Sequence, residues 1–156
     1  MELFERRKYY FCRYCGTFDF IETSPQDGVE VLERSTGAPC PVCAAPLGKA
    51  LLDNTHPISY CERCSGMLVA RGAFVDVIGG RRAAASGPAV TPAPLDQREL
   101  ERRVVCPLCQ QPMDVHPYYG PGNIVIDSCA GCNLIWLDFG ELKQVVDAPG
   151  RDRRTP

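Results

Sequence analysis

Histidine is scarce in this chain: two among 156 residues. That is too few for the histidine-rich, open-sided sites at which catalytic zinc holds its water. Long apolar runs are absent as well. None approaches the roughly 20 residues needed to cross a bilayer, so no membrane association is expected. There is no glycine-rich phosphate loop and no Ser/His/Asp set, and the chain reads as a non-enzyme. A strong charge of one sign is also missing: 17 basic residues face 19 acidic ones, a formal net charge of -2. The total therefore does not announce a nucleic-acid binder. The opening residues MELFERRKYYF are charged from the outset and lack the apolar core of a signal peptide. A cytoplasmic location, where thiols stay reduced, is expected.

What the chain has in abundance is cysteine, ten residues, with 14 Gly and 14 Pro. All ten cysteines fall in Cys-x-x-Cys pairs: Cys12–Cys15, Cys40–Cys43, Cys61–Cys64, Cys106–Cys109 and Cys129–Cys132. Disulfide scaffolds scatter their cysteines, whereas a metal site takes two thiolates from one tight turn. Structural zinc takes four such ligands in a tetrahedron. A spacer of 15–20 residues between two knuckles is a zinc pattern. Here the spacers are 17 residues from Cys43 to Cys61 and 19 from Cys109 to Cys129. Pieces of about 40 residues bury too little apolar surface to stand alone, so metal is expected to hold them together.

Five segments follow one another. Residues 1–39 carry one knuckle among strand-like runs, with a reversal expected at SPQDG. Residues 40–78 carry two knuckles. Residues 79–103, rich in Ala, Pro and Arg, read as a flexible linker, with helical character towards DQRELERR. Residues 104–147 carry the last two knuckles, and residues 148–156 read as a disordered tail. The second and fourth segments are copies: CPVCAAPL matches CPLCQQPM, and SGMLVARGAF aligns without a gap on NLIWLDFGEL. An internal repeat marks each copy as one structural unit.

In the C-terminal copy, MDVHPYY and NIVIDSC can pair as a hairpin reversing at Gly120-Pro121-Gly122-Asn123. Asp138 with Glu141 three residues on reads as a capping box opening a short helix. The first copy has Leu68, Ala70 and Ala73 where the second has Trp136, Asp138 and Glu141. Without a cap, worth about 1 kcal/mol, its helix is expected to be the poorer one.

The segment CPLCQQPM…CAGCNLIWLDFGEL resembles the transcription factor IIB-type zinc ribbons of small bacterial proteins, over residues 106–147 well and 40–78 in degenerate form. The resemblance implies a zinc-ribbon fold with Cys106, Cys109, Cys129 and Cys132 as ligands. The expected architecture is then a small metal-stabilised α+β protein. It has tandem zinc ribbons, each a short β-hairpin followed by a short helix, joined by a flexible linker. Two zinc ions per chain are expected, on Cys106, Cys109, Cys129, Cys132 and on Cys40, Cys43, Cys61, Cys64. A third or shared ion at Cys12 and Cys15 is the further option.

Five knuckles do not pair off within one chain. FCRYCGTFDF…CPVC is also similar to the rubredoxin pattern, which would pair Cys12–Cys15 with Cys40–Cys43 and leave Cys61–Cys64 over. The repeat favours the other pairing. A leftover Cys12–Cys15 has four open fates: meeting its twin in a homodimer, recruiting His56 or His116, acting as a dithiol, or staying inert.

For partners, the expected role is a zinc-binding adaptor for another protein, in a transcription-related setting. The alternatives are a nucleic-acid module or a rubredoxin-like redox protein. Two four-thiolate zinc sites take the formal charge from -2 to about -6, and the arginines sit mostly in the linker and tail, where they read as solvated. Tyr118 and Tyr119 beside the 120–123 turn are candidates for stacking on bases or anchoring a partner, or one of them packs on the ribbon.

Overall fold

A computed structural model of the chain describes residues 1–4, 9–15, 18–20, 28–34 and 37–154. The reversal expected at SPQDG lies outside the described residues apart from Gly28. Two compact units are formed, one from Met1–Leu68 with Asp138–Gly140, the other from Val69–Leu137 with Glu141–Pro156.

The first unit begins with a small antiparallel sheet of β1 (Glu2–Phe4), β2 (Tyr9–Phe11) and β3 (Phe18–Phe20). A meander of β4 (Val29–Glu33), β5 (Gly48–Leu52), β6 (His56–Tyr60) and β7 (Met67–Ala70) follows, each strand antiparallel to the last. The β5–β6 reversal places Asp53 and Asn54 at φ 52° and 57°, and Thr55 N–H closes it on Leu52 O at 3.2 Å. Both residue types tolerate this left-handed conformation, which gives a hairpin turn the twist of its strands. Alternation on β5 buries Gly48, Ala50 and Leu52 and turns Lys49 outward. Leu47, Tyr60 and Met67 complete the buried face.

The second unit holds helix α1 (Arg71–Ala84), a 3-10 helix over Gln97–Glu101, strands β8 (Asp114–Pro117), β9 (Val125–Cys129) and β10 (Leu134–Leu137), and helix α2 (Glu141–Asp147). The strands form an antiparallel order β8-β9-β10. The expected hairpin is therefore present, with Val115 opposite Asp127 and Pro117 opposite Val125. Gly122 at φ 106° and Asn123 at φ 48° turn the chain, and Tyr118 N–H donates to Ile124 O. Every residue of β9 is buried. Trp136, Leu137, Leu142, Val145 and Phe74 are buried with it.

Three expectations about the helical parts are corrected. First, α1, in the degenerate copy, has 14 residues against seven in α2. Its start at Ala70 carries no side-chain cap. A missing cap costs about 1 kcal/mol, less than what burial of Phe74, Val77 and Ile78 returns at ~1.5–3 kcal/mol per large side chain. Second, Gly140 at φ 81° keeps the helical backbone from starting before Glu141. The helix thus begins three residues after Asp138 rather than directly after it. The aligned Gly72 lies inside α1, and the copies part company there.

Third, the stretch read as a flexible linker is bonded along its length. Residues up to Ala84 belong to α1. Val90 N–H donates to Asp147 O at 2.8 Å, Asn123 donates to Ala93 O at 3.1 Å, and Asp96 caps the 3-10 helix by accepting from Arg98 N–H. The described part of the tail, up to Arg154, is held too. Ala148 is buried, and Asp152 accepts from Arg82 through both carboxylate oxygens, at 2.5 and 2.6 Å.

Candidate metal centres

Four of the five knuckles share one backbone device. In three of them the first cysteine's N–H donates to the carbonyl five residues on, and the residue four positions on donates back to the first cysteine's carbonyl. The bonds run Cys40 to Ala45 with Ala44 back to Cys40, Cys61 to Gly66 with Ser65 back, and Cys106 to Gln111 with Gln110 back, all at 2.7–3.0 Å. The residue that follows each second cysteine is left-handed: Ala44 at φ 59°, Ser65 at 57°, Gln110 at 61° and Asn133 at 55°. This kink curls the turn so that both thiols point the same way. A residue-for-residue register accompanies it. The residue before the first cysteine pairs with the one six beyond that cysteine: Pro39 with Pro46, Tyr60 with Met67, Val105 with Pro112, Ser128 with Ile135.

The turns converge in pairs, each pair within one unit. Cys40, Cys43, Cys61 and Cys64 form one cluster and Cys106, Cys109, Cys129 and Cys132 the other, their sulfurs all within 4.8 Å of one another in each. Closest approaches are 3.6 Å for Cys40–Cys64, 3.5 Å for Cys43–Cys61 and 3.6 Å for Cys109–Cys129. A disulfide would bring sulfurs to about 2.05 Å. Four sulfurs at ~2.3 Å from one tetrahedral ion lie about 3.8 Å apart. The clusters therefore have the size of a zinc tetrahedron, and two zinc ions fit. The first cluster is fully buried, whereas Cys109 and Cys132 of the second are half-buried.

Proton competition within the clusters points the same way. Hydrogen bonding to Cys40 holds Cys43 and Cys61 below the ordinary thiol range. Cys40 is pushed up, chiefly by Cys43, and Cys64 chiefly by Cys40. In the second cluster the Gln111 backbone N–H, joined by Cys129, lowers Cys109 to about 7, while contact with Cys109 raises Cys132 to about 12. Four adjacent thiols do not all ionise by themselves. A divalent cation removes the conflict by supplying the charge that four thiolates need.

Assembly of Cys40–Cys43 with Cys61–Cys64 corrects the rubredoxin-like alternative, which required Cys40–Cys43 to join Cys12–Cys15. Cys12, half-buried, and Cys15, exposed, lie in neither cluster. His116 is engaged at both ring nitrogens, with Pro117 O at 3.0 Å and Ser128 Oγ at 2.9 Å. Neither histidine joins a cluster among the described residues. Tyr118 packs edge-on against Phe74 at 5.3 Å, while Tyr119 stacks on His116 and is 89% exposed.

Residues 105–148 match the family model of the transcription factor zinc-finger. This segment is a zinc ribbon of the transcription factor IIB type. It contains the whole second cluster and the hairpin that carries it. With the two four-cysteine clusters, the ribbon makes the protein a zinc-binding module. No curated protein and no solved structure gives a significant match to the chain.

One buried structural residue escaped the sequence. Arg82, in the stretch read as solvated, is 0% exposed. Its guanidinium donates to Val145 O at 2.5 Å and Ala148 O at 2.8 Å besides Asp152. It thereby terminates α2 within the ribbon's own unit. Phe74, Ile78 and Arg82 fall four apart on one helix face, a stripe that could have signalled its burial.

Proposed function

We propose that the protein is a non-enzymatic adaptor in which two tandem zinc ribbons, one intact and one degenerate, hold surfaces for a protein partner. The observation that carries the reading is the closed ligand set. Eight cysteines form two sets of four, and a zinc ion held by four thiolates keeps no position for water or substrate, which distinguishes structural from catalytic zinc. Zinc then serves rigidity. What the ribbon offers a partner is its exposed apolar rim, with Leu108 at the tip of the first knuckle 60% exposed and Val105 just before it 45% exposed. A transcription-related partner is the setting that the ribbon type supports.

The nucleic-acid alternative has Tyr119 in its favour, but four arginines are engaged within the chain. Arg82 and Arg153 are spent on carbonyls, Arg98 on Asp96 at 2.8 Å, and Arg102 on the buried Asp127 at 2.6 Å. Phosphate neutralisation dominates nucleic-acid affinity, and arginines bonded internally supply little of it. The test places a photo-crosslinker at Leu108 and, as control, at Val75 in living cells. A discrete protein adduct at Leu108 alone is expected. Salt-dependent binding to nucleic-acid probes that Tyr119→Ala abolishes would overturn the reading.

A further inference from the structure

We propose that Cys109 is a reversible oxidation site: a hydroperoxide oxidises its sulfur, Cys129 closes a disulfide on it, and the ribbon's zinc leaves while the first cluster keeps its ion. The inference rests on zinc at the two clusters and not on the partner reading.

The first observation is access. The two clusters have the same four ligands and near-equal sulfur spacings, 3.5 and 3.6 Å in the first and 3.6 Å in the second. They differ in how far they are covered. Cys40, Cys43, Cys61 and Cys64 are all buried, whereas Cys109 and Cys132, the second cysteine of each ribbon knuckle, are half-buried. The neighbouring residues agree. Leu108 and Gln110, on either side of Cys109, are both exposed. Before Cys132 stand Ala130 and Gly131, and a Cβ added at Gly131 would meet nothing within 4 Å. The aligned positions of the first copy hold the longer Glu62 and Arg63. The outer sulfurs of the ribbon are therefore open to a molecule as small as hydrogen peroxide.

The second observation is the neighbour. The susceptibility of a cysteine to oxidation follows its thiolate character and its exposure. Zinc makes thiolates of all its cysteine ligands, so exposure is what separates the two clusters. The Cys109 thiolate attacks one oxygen of the peroxide, the O–O bond breaks, and hydroxide departs, which leaves a sulfenic acid on Cys109. The Cys129 sulfur, 3.6 Å away, then attacks that sulfur, expels a second hydroxide and completes the disulfide. Two thiolates have thereby given two electrons to one peroxide, and both hydroxides take protons from solvent to become water. Cys106 and Cys132 remain as two ligands where a structural zinc site needs four, and the ion leaves. A thiol reductant returns the two electrons and restores the site.

The test treats reduced, zinc-loaded protein with hydrogen peroxide. Released zinc is followed with a metallochromic dye, and disulfides are mapped by peptide mass. The variant Cys12→Ser, Cys15→Ser is run alongside the full chain, because the exposed Cys15 also consumes peroxide. In both proteins one zinc ion per chain should leave well before the second, in step with a Cys109–Cys129 disulfide. Both changes should reverse when dithiothreitol and zinc are added. Cys109→His keeps a zinc ligand and removes the oxidisable sulfur, so the early phase should be lost. Should that variant fail to hold its ion, the disulfide map of the full chain decides by itself. Release of no zinc, release of both ions together, a first disulfide among Cys40, Cys43, Cys61 and Cys64, a ribbon disulfide other than Cys109–Cys129, or an early phase that survives in zinc-loaded Cys109→His would each overturn the proposal.

Discussion

Replacing Arg82 by methionine tests the clearest piece of physics in the second unit. Methionine keeps the unbranched stem and removes the guanidinium. Val145 O and Ala148 O, at 2.5 and 2.8 Å from Nη1, then lose their donor. Each is a carbonyl in the last turn of α2 or just past it, and such groups have no intrahelical partner. Leaving a buried acceptor unsatisfied costs about 1–3 kcal/mol, so the pair amounts to about 2–6 kcal/mol. The ion pair adds little. Asp152 is 58% exposed, and solvent screens such a charge to ~1 kcal/mol or less. Denaturant unfolding at saturating zinc, with equal slopes for the two proteins, gives the difference. Asp152→Asn should cost no more than ~1 kcal/mol. If Arg82→Met costs less than ~1 kcal/mol, or no more than Asp152→Asn, the carbonyl-capping account is wrong.

Gly79 and Gly80 lie inside α1, and an added Cβ would meet nothing within 4 Å at either. Alanine at each should stabilise by about 0.5–1 kcal/mol, read from the same unfolding curves. Chelator should strip the two clusters in separate phases, the one with half-buried Cys109 and Cys132 first. Cys43→Ser should delete the slow phase, and loss of the fast phase instead would refute the assignment. Burial pushes the Tyr118 phenol above its ordinary value of 10. A raised value favours the folded state fully below pH 10 and loses that contribution as pH climbs towards the folded value. Tyr118→Phe should therefore remove a late component from the tyrosinate absorbance titration and flatten the stability loss above pH 10.

The metal clusters were the most legible part because their rule is short-range. A Cys-x-x-Cys turn needs four consecutive residues, and spacers of 17 and 19 residues leave room for one hairpin each. The repeat then decided between two pairings of Cys40–Cys43, and the structure assembles the pairing it favoured. The linker and tail were misread because their contacts reach across the chain. Arg82 and Asp152 stand 70 positions apart, and nothing local in GGRRAAA distinguishes a buried arginine from a solvated one. The helix of the degenerate copy was undervalued for a related reason. Its cap is visible in four residues, whereas the burial of Phe74, Val77 and Ile78 that outweighs it becomes visible only once the strands are in place. The later start of α2, at Glu141, follows from one dihedral, at Gly140.

The left-handed residues after the knuckles reach beyond geometry. Ala44, Ser65 and Gln110 adopt a conformation that costs such residues roughly 1–2 kcal/mol, and Asn133 adopts it more cheaply. The sum is about 2–4 kcal/mol in the first cluster and about half that in the second, well within the ~10–16 kcal/mol that structural zinc supplies to small domains. Each ion therefore works as a latch on sprung backbone. When it leaves, the turn has its own reason to relax, and recapture must first wind it up again. Zinc loss from these knuckles is thus a change of shape as well as of charge. Anything that recognises the curled turn would read the metal state of the protein directly.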